Sequence, residues 1–75
     1  MDRELRVNAR GLSKPGPRLM LETALEKGLP DFVRVVVSGR EAAEDVGAYL
    51  EGTGAAVEID AVGDEIHVLG RFPAR

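Results

Sequence analysis

Apolar and polar positions alternate over residues 4–9. Leu5, Val7 and Ala9 fall on one side, and Glu4, Arg6 and Asn8 on the other. A period of two predicts a half-buried strand. Arg10 and Gly11 end it, and the stretch Gly11-Leu12-Ser13-Lys14-Pro15-Gly16-Pro17 turns the chain into a first helix, predicted over residues 15–27. Leu21, Ala24 and Leu25 form its apolar stripe, extended by Leu19 or Met20, while Glu22 and Glu26 face solvent. Pro15 suits the first helical position, because its ring presets φ and the N–H it lacks would have no intrahelical partner. Pro17 sits in the first turn for the same reason. Gly28 fits the C′ position, and Pro30 blocks continuation.

Residues 32–37 are β-branched and apolar apart from Arg34, the pattern of a central strand covered on much of both faces. Two strands joined through a helix predict a parallel βαβ unit. Ser38 and Glu41 have capping-box spacing and open a second helix, whose apolar face is Ala42, Val46, Tyr49 and Leu50. Glu41, Glu44, Asp45 and Glu51 lie mostly outside it, and Gly47 weakens its interior. Gly52 and Gly54 bracket its end. Val57, Ile59 and Ala61 then alternate with Glu58 and Asp60. A Gly63-Asp64 turn leads to a last strand with Ile66, Val68 and Phe72 on the core side, and the short turn makes this pair antiparallel. His67 is expected as a solvated residue beside Glu65 and Arg71, Pro73 as the stop, and Ala74 and Arg75 as a frayed tail. The order β-α-β-α-β-β is satisfied by an α/β two-layer sandwich: one mixed four-stranded sheet with two helices on one face, in a single domain spanning residues 1–75.

Composition narrows the chemistry. The 75 residues contain no cysteine, which excludes disulfides, thiolate metal ligands and any persulfide, and one histidine cannot build a zinc site. No catalytic residue, metal or cofactor is implied. The core is aliphatic, with Phe32, Phe72 and Tyr49 its only aromatics. The net charge of −3 opposes general binding to nucleic acid or acidic membranes. Residues 1–18, however, carry +3 through Arg3, Arg6, Arg10, Lys14 and Arg18. No apolar run approaches a membrane span, and Met1 leads into charged residues rather than a signal peptide, so a cytoplasmic location is expected.

The segment Asn8-Ala9-Arg10-Gly11-Leu12-Ser13-Lys14-Pro15-Gly16-Pro17, together with the element order, resembles the TusA/SirA-like family of small sulfur carriers. The family pattern is roughly Asp-x-Arg-Gly-Leu-x-Cys-Pro-x-Pro; Arg10, Gly11, Leu12, Pro15 and Pro17 match it, and Lys14 stands where the family has its cysteine. The resemblance implies the fold and a docking surface. The family's cysteine accepts sulfur as a persulfide from a cysteine desulfurase or other donor, aided by a helix N-terminus that favours thiolate. An ammonium group cannot do this, and the Ser13 hydroxyl is no substitute.

The reading favoured by these residues is a non-catalytic partner-binding module in or near sulfur relay. Its docking loop would comprise Arg10, Gly11, Leu12, Ser13, Lys14, Pro15, Gly16, Pro17 and Arg18, and its partners would be cysteine desulfurases or other relay proteins. One alternative is a sulfur carrier of the family whose cysteine has been substituted in this chain. Another is an anion- or RNA-binding domain. Lys14 and free N–H groups near Gly16, joined by Arg10 and Arg18, would hold the anion. A basic stripe of Arg6, Arg10, Lys14 and Arg18 would contact RNA, as the similar two-layer arrangement of a translation-initiation-factor domain suggests by analogy of fold. No aromatic platform accompanies that stripe.

Overall fold

Residues 3–73 are described in a computed structural model; the predicted tail at Ala74 and Arg75 lies outside them. The elements are β1 (Glu4–Asn8), α1 (Gly16–Leu25), β2 (Phe32–Val37), α2 (Arg40–Gly52), β3 (Ala56–Val62) and β4 (Glu65–Arg71). The sheet order is β1-β2-β4-β3. β1 runs parallel to β2, with Val7 opposite Val35, and β4 is antiparallel to both β2 and β3. The β3–β4 hairpin closes through Gly63-Asp64. Gly63 takes a φ of +60° there, a left-handed conformation in which a Cβ would be strained.

The alternation in the sequence becomes the two faces of the sheet. Val33, Val35, Val37 and Val68 are fully buried beneath the helices, together with Leu21, Val46 and Leu50 from the helices themselves. Gly70 lies in the same layer, and a Cβ there would sit 3.1 Å from both Leu50 Cδ1 and Val33 Cγ1. The opposite face carries no helix among the described residues. Residues of β2 on that side, Phe32, Arg34 and Val36, are therefore half-buried rather than covered, so the apolar run of β2 reflects a strand with neighbours on both edges and helices on one face.

Both helices depart from their expected boundaries. Pro15 is the N-cap of α1 rather than its first residue; Gly16 begins the helix and the buried Pro17 follows. The helix closes at Leu25, two residues early, and the Gly28 N–H returns to the Leu25 carbonyl at 3.1 Å. Leu19 and Met20 do not join the core stripe, because they lie on the outward side of α1. At α2 the capping box does not form: Gly39 is the N-cap, with no side-chain cap bond. Asp45, expected outside, is drawn into the α1–α2 contact by Arg18 Nε at 3.1 Å.

Candidate functional site: the Arg10–Arg18 loop and helix face

β1 and β2 run side by side, so their C-terminal ends bring the Gly11–Pro17 loop against the turn that enters α2. Ala9 N–H extends the pairing to the Val36 carbonyl at 2.8 Å. Gly11, at φ +82°, then turns the chain and donates its N–H to Ser38 Oγ at 3.0 Å. This bond explains the missing capping box: the Ser38 hydroxyl braces the loop instead of its own helix. Leu12 N–H closes a turn onto the Ala9 carbonyl, and Gly16 N–H bonds the Ser13 carbonyl at 2.8 Å. The Lys14–Pro15 peptide between them is cis. Leu12 packs over Gly16, where an added Cβ would come within 3.3 Å of it.

The loop presents apolar surface. Leu12 is 43 % exposed, and Leu19 and Met20, at helical spacing from Gly16, are 50 % and 41 % exposed. They form a strip from the loop along the outer side of α1. On the other side of the loop, a groove of about 440 Å³ separates Leu12, Ser13 and Lys14 from Ser38, Arg40 and Glu41. The N–H groups of Arg40, Glu41 and Ala42 at the uncapped start of α2 have no hydrogen-bond acceptor among the described residues.

The basic residues do not act together. Arg6 lies on the open sheet face and pairs with Glu4 at 2.7 Å, which holds the Glu4 carboxyl below its ordinary value. Arg10 pairs with Glu65 at 2.6 Å. Arg18, on the helical layer, bonds Glu22 and Asp45, and the two carboxylates raise its pKa. The expected basic stripe is thus divided between two faces and largely neutralised, while Lys14 stands exposed without an ion pair among the described residues. The start of α1 is also a poor anion cradle. Gly16 N–H is taken by Ser13, Pro17 has none, and Leu19 N–H bonds Pro15, so Arg18 alone keeps an unpartnered N–H among the described residues.

The sequence reading missed a network on the open face. Arg34 Nη1 donates to His67 Nδ1 at 2.8 Å, and His67 Nε2 donates to Glu65 Oε1 at 3.1 Å; Glu65 in turn holds Arg10. The bonds from His67 and Arg10 keep the Glu65 carboxyl below its ordinary value. His67 is therefore a packed member of a hydrogen-bonded chain, not a solvated residue. The available signal was register: a β2–β4 pairing that puts His67 opposite Val36 leaves it diagonal to Arg34.

The structure superposes on the crystal structure of the SirA-like protein from Desulfitobacterium hafniense with a TM-score of 0.78, covering 89 % of this chain and 95 % of that one at 21 % identity. The chain has the SirA-like α/β fold. No protein-family model and no curated protein matches its sequence. No helix among the described residues is long and apolar enough to cross a membrane.

Proposed function

We propose that the chain is a non-catalytic partner-binding module of a sulfur-relay system, which docks as a sulfur carrier docks but carries no sulfur. The observation that supports this reading is the braced loop of residues 11–17. Its sequence resembles the sulfur-carrier motif in its glycine and prolines, with Lys14 where that pattern has cysteine, and the loop continues into the exposed strip Leu12, Leu19 and Met20. Monomers expose large apolar side chains singly; a strip of three beside an ordered loop suits a protein partner. Lys14 adds a charge at its edge that an acidic partner surface would meet.

The test is titration of the chain with its host's cysteine desulfurases and their relay partners at moderate salt. Saturable binding is expected, weakened about tenfold by Met20→Asp and more modestly by Lys14→Glu. Absence of saturable binding to any of them overturns the reading. Arg18 is a poor probe here, since reversing its charge would break its contacts with Glu22 and Asp45.

A second reading, anion capture, has its support at a different helix from the one expected. Lys14 and Arg40 flank the uncapped start of α2. Phosphate or sulfate would then shift the amides of residues 14 and 39–42, and leave residues 16–19 unmoved.

A further inference from the structure

A broad depression lies at the opposite end of the sheet from the motif loop, where β1 and β2 begin and β4 ends. It has a volume of about 730 Å³. One row of open-face residues crosses it from strand to strand: Glu4, Phe32, Arg71 and Ala56, aligned by the register of all four strands. We propose that this depression binds a small organic anion, one carboxylate or phosphate group carried on a planar apolar body.

Charge selects the anion. Three arginines, Arg3, Arg34 and Arg71, line the depression together with two acidic residues, Glu4 and Asp31. Both carboxylates are already engaged. Glu4 is held by Arg6 at 2.7 Å, and Asp31 Oδ2 accepts the Arg3 backbone N–H at 2.7 Å. In a chain of net charge −3 this end is a local excess of positive charge. Arg34 is the one of the three that is half-buried rather than exposed. Half-buried, it makes one side-chain hydrogen bond, from Nη1 to His67, and its Nε is buried with no partner among the described residues. A guanidinium carries five donors in a planar fork, and a half-buried one with a single bond is primed for an oxyanion. His67, itself bonded to Glu65, fixes the orientation of that fork.

The planar body follows from Phe32. Its ring belongs to the same open-face row as Arg71 on β4 and Glu4 on β1, which gives a flat apolar surface beside the cationic groups. An inorganic anion would use the guanidinium groups and leave this surface empty. A planar organic anion uses both, through stacking on Phe32 and on the guanidinium plane.

Amide chemical shifts of the full chain, titrated with phenyl phosphate, benzoate, inorganic phosphate and benzyl alcohol, test the site. Saturable shifts at Phe32, Arg34 and Arg71 are expected with the two aromatic anions. Inorganic phosphate is expected to bind the same residues more weakly, and benzyl alcohol not to saturate. Arg71→Gln, an exposed substitution, should weaken phenyl phosphate about tenfold while leaving the remaining spectrum folded. Arg34→Lys, which keeps charge but loses the fork, should weaken it as well. The proposal is overturned if no saturation occurs in the millimolar range. It is equally overturned if benzyl alcohol binds as well as phenyl phosphate, if the shifts fall only on residues 14 and 39–42, or if Arg71→Gln binds unchanged.

Discussion

Two glycines in the hydrophobic layer make opposite demands. At Gly70 an added Cβ meets Leu50 and Val33 at 3.1 Å, and both neighbours are fully buried. Gly70→Ala should therefore destabilise the chain by about 1 kcal/mol or more, read as a lower urea midpoint. At Gly47 the nearest atoms to a new Cβ, on Val57 and Ile59, lie at 3.7 and 3.8 Å, ordinary contact distances. Gly47→Ala should stabilise by about 1 kcal/mol, since the helix gains a better residue without a clash. The sequence shows that Gly47 weakens α2; only the packing shows that the position has room. Glu65 supplies a pH-dependent term. Its carboxyl is held below its ordinary value by His67 and Arg10, so the folded state binds its proton less readily than the unfolded chain does. The associated stability is present above the ordinary carboxylate pKa of about 4.3 and is lost as pH falls through the lower folded value. Glu65→Gln should give a urea midpoint that falls less steeply with acidification over that window than the wild type's.

At the scale of elements, the strands and the existence of both helices were legible in the sequence, because periods of two and 3.6 are local properties. Residues 32–37 and 65–71 match their predicted strands closely. What was not legible depends on neighbours distant in sequence. Ser38 has the spacing of a capping box, yet its hydroxyl accepts the Gly11 N–H from 27 residues away. Leu19 and Met20 suit a core stripe by residue type, but α1 buries only the side bearing Pro17, Leu21 and Leu25. Leu21 is therefore its main anchor, and Leu21→Ala should cost about 2–5 kcal/mol. That is a large share of the stability available to a chain of this length, and circular dichroism melts would show it. The link from Arg18 to Asp45 joins α1 to α2 from a partly exposed position. A double-mutant cycle on this pair should give a small coupling that fades with added salt.

At the scale of the whole molecule, the fold places two distinct surfaces at opposite ends of the sheet. One end carries the braced motif loop with Lys14 and the apolar strip, and the other carries the depression with three arginines. The motif loop could be singled out from the sequence because its residues are contiguous. The arginine depression could not, because Arg3, Arg34 and Arg71 come together only through strand order and register. The same dispersion undid the basic stripe, whose members are near in sequence and apart in space. The central claim, occupation of a carrier's docking place without sulfur, is tested most directly by competition. A cysteine desulfurase delivers sulfur to a thiol-bearing carrier of this fold, and the rate of persulfide formation is measured as this chain is added. A progressive, saturable fall in rate is expected, with Met20→Asp much less effective than the unaltered chain. An unchanged rate at saturating chain, or equal inhibition by Met20→Asp, would contradict it.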